Sequence, residues 1–368
     1  TNGKGSTASI LKSILNHHGF STHVYTTPHL INFNERIQLN SKNISNTKLI
    51  RYLSYCEKVN NGKLITFFEI TTAAAFKAFQ DHPADFLILE VGLGGRFDAT
   101  NIIKSKKYTA ITPVSIDHQD YLGNTLTQIA FEKLGILNNK SINFVNKQKP
   151  TVMNYIKSEL IRRKINASFY NQEWSIKSNF YVAKKTKINL SNLNLIGDHQ
   201  KTNAGLAIHI SRYLLKNNFK IDTTKDALSK CEWAGRLQLI SQGKLLKHIH
   251  KYKNIYLDGF HNIDGMKVLI KSLEKNRKIL ICSFLNNKKY QYMLNQLSNH
   301  FNKIIVVKMN EENSIDKNDI PKNLSILFSP SLKQSFTLIN KYSSVKTSVY
   351  FGGSLYFIGE VLKMNKSK

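Results

Sequence analysis

The sequence predicts an α/β protein in two parts: a doubly wound, mostly parallel sheet, followed by a second, smaller α/β block. Three observations predict it. The chain opens on TNGKGSTAS, a glycine–lysine loop that runs straight into a helical pattern. Two uninterrupted apolar runs, DFLILEV (Asp85–Val91) and YTAITPV (Tyr108–Val114), read as central parallel strands buried on both faces. From about residue 240 the alternation of strand and helix starts afresh.

Taken in order, a helix is expected over Ser6–His17 and a strand over Thr22–Thr26. Helical periodicity follows at Thr47–Val59 and Phe68–Gln80. Pro83 and Gly92 bound the first apolar run, and the second ends at Val114. Helices are expected at Leu126–Leu134 and, opened by Pro150, at Thr151–Lys164. Trp174–Leu195 alternates polar and apolar residues and reads as a small antiparallel excursion. A helix resumes at Lys201–Leu215. The second block carries NIYLDGF, KILICSF, KIIVVKM and SVYFGG as strands between helical stretches, a Rossmann-like pattern. The boundary falls in Gly235–Gly243, which gives domains 1–240 and 241–368. The chain has no initiator Met, and its phosphate loop lacks the strand from which such loops hang, so it reads as a fragment without its natural N-terminus.

The chain has 368 residues, a length that suits two domains. No apolar run reaches the ~18 residues a membrane-spanning helix needs, so no membrane partner is expected. The three cysteines, Cys56, Cys231 and Cys282, are isolated and odd in number, which argues against a disulfide framework or a zinc site and fits a reducing cytoplasm. A net charge of +29 invites a nucleic-acid reading. Lysine is spread along the whole chain, however, and no basic tract is interleaved with aromatics as in a stacking platform. No nucleic-acid partner is expected. The positive field instead favours anionic small molecules.

The opening loop implies a nucleotide. Gly3 and Gly5 let backbone N–H groups close around phosphate oxygens, Lys4 supplies a point charge, and Ser6 or Thr7 offers a hydroxyl to Mg²⁺. The full G-x-x-x-x-G-K-[ST] signature is not present, since Gly5 follows Lys4. Glu90 stands at the carboxyl end of the first apolar strand, where ligands bind in open α/β sheets, and glycines 92, 94 and 95 follow it. His118, in SIDHQDYLG after the second apolar strand, would share that rim. By itself it reads as a hydrogen-bonded loop histidine rather than a metal ligand. Lys133, in FEKLGI, reads by itself as a solvated helical charge. Asn203, Arg236, Asp258 and His261 lie in GDHQKTNA, WAGRLQ and LDGFHN, polar loops that could grip a nucleotide or be ordinary loop polarity.

These motifs occur together and in one order. With TTPHL, FNERI, TFFEITTAAAF, LEVGLGGRFDATN and GSLYFIGEV, the chain closely resembles the dihydrofolate synthase/folylpolyglutamate synthase family of the Mur-ligase superfamily, from residue 1 to about Glu360. The resemblance implies a P-loop domain of the Mur-ligase central type and an ATP-dependent ligase. Such an enzyme joins L-glutamate to dihydropteroate, and also extends folate γ-glutamyl tails, through an acyl phosphate. The resemblance places ATP on Thr1, Asn2, Gly3, Lys4, Gly5, Ser6, Asn203, Arg236 and Asp258, with His261 beside them. It assigns Mg²⁺ to Thr27, Glu90 and His118, and implies a carbamylated Lys133 able to bind a second ion. Lys4, Lys133 and His118 are thereby the catalytic set. The pterin side falls to Thr66, Phe67, Phe68 and Glu69, and to Phe97, Asp98 and Ala99. A monomer is expected.

Some positions depart from the family pattern. Thr26 and Thr27 stand where serines are usual, Ala234 and Ile263 where prolines are common, and Asn286-Asn287-Lys288-Lys289 where the family has Asp-Lys-Asp. Two other readings stay open at the level of sequence: a Mur-type ligase acting on a cell-wall precursor, and a P-loop protein that binds nucleic acid.

Overall fold

The computed structural model describes residues 2–366; Thr1, assigned above to the phosphate loop, lies outside them. Two compact units form. One runs up to Asn194 and takes in Asp198–Glu232; the other joins Leu195–Gly197 to the residues from Trp233 onward.

In the first unit, α1 (Lys4–His17) leads into β1 (Thr22–Tyr25), β2 (Ile37–Leu39), β3 (Lys42–Asn43), α2 (Asn46–Asn60), α3 (Phe67–Asp81) and β4 (Phe86–Leu89). Ile10, Ile14 and Leu15 of α1 are fully buried, each stabilising the fold by roughly 1.5–3 kcal/mol. This stripe seats α1 against α7 (Asp198–Leu215) and α8 (Ile221–Lys230). Between α3 and α7 come β5 (Tyr108–Ile111), α4 (Gln119–Leu122), α5 (Leu126–Lys133), β6 (Ile142–Val145), α6 (Pro150–Arg162) and β7 (Ala167–Phe169), then β8 (Ser175–Lys177), β9 (Phe180–Ala183) and β10 (Thr186–Asn189).

Strand order is β3-β2-β1-β4 in one sheet and β5-β6-β7 in another. β1 and β4 run parallel, as do β5, β6 and β7. The excursion β8–β10 is an antiparallel meander. One core cluster gathers Tyr25, Ile37, Tyr52 and Ala75 beneath α2 and α3; another gathers Ile111, Ile129, Val145 and Ile156 between β5–β6 and α5–α6. The DFLILEV strand differs from its expectation. None of Phe86–Leu89 is buried, and Leu87 is 40% exposed. β4 pairs on one side only, with β1, which leaves its other edge open among the described residues.

The second unit holds β11 (Gln238–Leu239), α9 (Leu245–His248), β12 (Ile255–Asp258), α10 (Ile263–Lys271), β13 (Arg277–Cys282), α11 (Tyr290–Ser298), β14 (Lys303–Val307), β15 (Ile326–Ser329), α12 (Leu332–Tyr342), β16 (Thr347–Gly352) and α13 (Leu355–Lys366). Its sheet runs β11-β12-β16-β13-β14-β15 and is parallel except for β11. Gln238 and Leu239, set before the boundary by sequence, ladder with Leu257 and Tyr256 of β12 and so belong to this unit.

One buried polar group in the first unit has a measurable consequence. His209 of α7 is 3% exposed and is held between Ser168 Oγ at 2.8 Å and the Tyr181 hydroxyl at 2.9 Å, with Trp174 stacked on it. Burial first, then the Arg212 charge, pushes its pKa down to about 3, from ~6.5 in an unfolded chain. The folded state therefore resists a proton that the unfolded state accepts. Stability from this site is complete above about pH 6.5 and is lost as pH falls toward about 3, at ~1.4 kcal/mol per pH unit. Thermal midpoints measured across that window should fall with acid in the native protein and fall less steeply in His209→Gln.

Candidate active site

The phosphate loop is tighter than the sequence reading drew it. Gly3 adopts the left-handed region at φ +86°, so the chain turns sharply and α1 begins at Lys4. Lys4, Gly5 and Ser6 are thus the first helical turn rather than loop. Their N–H groups are the donors a helix leaves unpaired at its start, and no acidic side chain in that turn takes them up. A Cβ on Gly3 would lie 2.5 Å from Asn203 Oδ1, so only glycine fits both the turn and the close approach. Asn203 is itself 3% exposed, and its amide donates to Gln200 Oε1 at 3.0 Å. Asn2 is pinned beside the loop: its N–H donates to the Pro113 carbonyl at 3.2 Å and its side-chain amide to Ser115 Oγ at 3.3 Å.

Glu90 follows β4 and is 8% exposed. Its carboxylate accepts from the Thr27 N–H at 3.3 Å, which brings together two of the residues expected to share a metal. Lys4 and Glu90 line one cavity. His118 sits in the left-handed region at φ +51°, capping α4, with its N–H bonded to the Asp117 carboxylate at 3.0 Å. Among the described residues no group of three or more His, Cys, Asp or Glu side chains is arranged to hold a metal ion. The Thr27 hydroxyl and the Glu90 carboxylate are oxygen donors of the kind a Mg²⁺ takes alongside water and phosphate. Thr7 Oγ1, buried beside the loop without a hydrogen-bond partner among the described residues, is a further oxygen free to serve there.

Lys133 overturns the solvated reading, since only 8% of it is exposed at the end of α5. Burial, then the neighbouring Lys4 charge, pushes its pKa down to about 8, while Asp117 and Asp98 pull upward. At pH 7 roughly a tenth of the amine is then neutral, against less than a thousandth for an ordinary lysine. Asp117 and Asp98 are the electrostatic partners that sequence reasoning missed as such. Asp117 stood beside His118 in the IDH motif, which was the available signal.

The residues assigned to the pterin side divide. Phe67 and Phe97 present exposed rings, at 65% and 82%. Arg96 lies over the Phe97 ring, and the partly buried Phe68 packs against the core beneath α2 and α3. Thr66 and Glu69 hydrogen-bond each other as a capping box that starts α3. Asp98 is buried with its oxygens engaged by Leu93 N–H and by the Thr100 N–H and hydroxyl, which shapes the turn that opens at Ala99. For Thr66, Glu69 and Asp98 the structure displays local scaffolding. In the second unit, Asp258 at the end of β12 accepts from Leu237 and Phe260 N–H groups. Burial raises its pKa against the pull of Arg236. Arg236 reaches the Gly259 carbonyl at 3.5 Å, and His261 Nδ1 lies 3.0 Å from that carbonyl.

The model of the Mur ligase middle domain matches residues 1–211. The dihydrofolate synthase/folylpolyglutamate synthase of Bacillus subtilis is 31% identical over all of this chain and 89% of its own length. The chain belongs to the dihydrofolate synthase/folylpolyglutamate synthase family. Two solved members share its fold. E. coli FolC in complex with DHPP and ADP superposes with a TM-score of 0.86 at 23% identity, covering 99% of this chain and 86% of that one. Mycobacterium tuberculosis folylpolyglutamate synthase complexed with ADP gives 0.86 at 24% identity, covering 100% and 89%. Among the described residues no helix is long and apolar enough to cross a membrane.

Proposed function

We propose that this chain is an ATP-dependent ligase that forms an amide between L-glutamate and dihydropteroate and adds further glutamates to folate γ-glutamyl tails. The observation that carries this reading is the pairing of a glycine-turned helix start bearing Lys4 with the buried, Thr27-bonded carboxylate of Glu90 on one cavity. One group neutralises phosphate charge and the other holds the cation that accompanies it. The acceptor carboxylate attacks the γ-phosphorus of ATP, ADP leaves, and an acyl phosphate results. The glutamate amine then attacks the acyl carbon, and phosphate departs as the amide forms. Catalysis of this kind is mostly positioning and charge neutralisation.

In this reading the first-turn N–H groups and Lys4 hold the β/γ-phosphates, with Asn2 and Asn203 fixing the loop around them. Arg236, Asp258 and His261 take nucleotide contacts. Thr27, Glu90 and His118 hold Mg²⁺, which when bound neutralises charge on the transferring phosphoryl group. Phe67 and Phe97 offer ring faces to a pterin, and Phe68 supports them. Lys133 reacts as the neutral amine with CO₂, releasing a proton and becoming an anionic carbamate able to meet a second cation.

The decisive assay is glutamate-dependent ADP release with dihydropteroate and, separately, with tetrahydrofolate. Release with either acceptor supports the reading, and release that ignores glutamate overturns it. For Lys133, we expect Lys133→Ala to lose about 10²–10³ in turnover and to regain part of it with added formate or acetate. ¹³C-bicarbonate should give a carbamate resonance in the native protein only. Absence of both rescue and resonance assigns Lys133 an ordinary cationic role.

A further inference from the structure

The FNERI segment has no role in the chemistry so far, yet it lies on the loop that carries Thr27. That loop, residues 26–36, leaves β1 and returns through one 3₁₀ turn, Phe33–Arg36, into β2. Its ends are tied together, the Thr26 N–H donating to the Arg36 carbonyl at 2.9 Å. Its middle is tied to one side chain. The Glu35 carboxylate accepts from the Leu30 N–H at 2.8 Å, from the Ile31 N–H at 3.3 Å and from the Asn32 N–H at 3.1 Å. Arg36 Nε donates to His29 Nδ1 at 3.0 Å, and its guanidinium lies over the Phe33 ring. Three consecutive backbone donors converging on one group call for two acceptor oxygens, which an ionised carboxylate supplies. None of residues 27–36 is buried, so these bonds fix the loop more than apolar packing does.

We propose that Glu35 is a positioning residue for the metal: by gathering the Leu30–Asn32 amides it holds the loop in the shape that sets Thr27 against Glu90. The inference rests on the ligase reading only in taking Thr27 and Glu90 as Mg²⁺ donors. Thr27 stands one residue past the Thr26–Arg36 tie and three before the first amide that Glu35 receives, so its place is set from both sides. Its own N–H meets the Glu90 carboxylate at 3.3 Å, near the limit for such a bond, and a loop shift of ~1 Å would break it. Glu35 touches neither metal nor substrate in this account; it acts through the backbone that Thr27 belongs to.

The test compares the native protein with Glu35→Ala, Glu35→Gln and a control on the same turn, Asn34→Ala. Asn34 ties the turn to the segment that follows, donating to the Ile44 carbonyl at 2.7 Å and to Asn46 Oδ1 at 2.9 Å. One readout is amide exchange of Leu30–Asn32 in the metal-free protein. The other is Mn²⁺ affinity at saturating ADP, from the EPR signal of free Mn²⁺. In Glu35→Ala, exchange should quicken by about 10–100-fold and Mn²⁺ should bind about 10-fold more weakly. Glu35→Gln, which turns an NH₂ group toward backbone donors, should move both readouts the same way. Asn34→Ala should lower the thermal midpoint and move neither. Unchanged exchange in Glu35→Ala overturns the inference, as does faster exchange with native Mn²⁺ affinity. An equal loss of Mn²⁺ affinity in Asn34→Ala also overturns it, since Glu35 would then serve general stability alone. Neither readout involves turnover, so this inference and the ligase reading fail separately.

Discussion

Replacing Lys4 with alanine is expected to lower turnover about 10²–10³-fold while the protein stays folded. The ammonium stands in the first turn of α1, whose backbone donors are uncompensated by any acidic side chain. In the proposed reaction it neutralises charge that grows on the β/γ-phosphate oxygens. Loss of one such preorganised group costs about 3–4 kcal/mol of barrier in comparable sites. Single-turnover ADP formation measures the effect. The same variant removes the positive neighbour that helps to depress Lys133, so the Lys133 pKa should rise, and the proposed carbamate should need a higher pH to form. Normal turnover in Lys4→Ala would contradict the phosphate role.

Glu90→Gln is the second large effect. The amide keeps the side-chain shape and can still accept from the Thr27 N–H, so packing at this 8%-exposed position survives. What disappears is the negative charge. Turnover should fall about 10²–10³-fold, and the Mg²⁺ concentration for half activation should rise at least ~10-fold. Titrating Mg²⁺ at saturating nucleotide separates the two parameters. An unchanged Mg²⁺ dependence would remove Glu90 from the metal site and leave the cation to other oxygens.

Much of this site was legible in the sequence because short motifs impose their own geometry. A glycine–lysine loop ahead of a helical pattern forecast a close turn into α1, although the left-handed conformation at Gly3 and the helix start at Lys4, two residues sooner than periodicity placed it, came from the structure. Glu90 was legible because a carboxylate directly after an apolar strand falls at a sheet rim. The meander of β8–β10 was legible because alternation with period two cannot be satisfied by a helix. Lys133 was legible only through family resemblance. Its helix surroundings say nothing of burial, and its pKa is lowered by that burial and by Lys4, 129 positions away, against the upward pull of Asp117 and Asp98, 16 and 35 positions away. The Thr66–Glu69 pair carries a plain capping-box spacing that starts α3, while its place on the pterin side comes from the family resemblance alone.

By itself, the sequence determined the α/β class and the order of the longer strands and helices, since these follow from local periodicity and turn chemistry. Only the tertiary structure decided that Thr27 meets Glu90, that Asn203 closes on Gly3, and that Lys133 is desolvated among like and opposite charges. It alone disclosed the open edges of β4 and β5. Backbone conformation is set within a few residues, whereas burial, charge proximity and strand pairing depend on segments far apart in the chain arriving at one place.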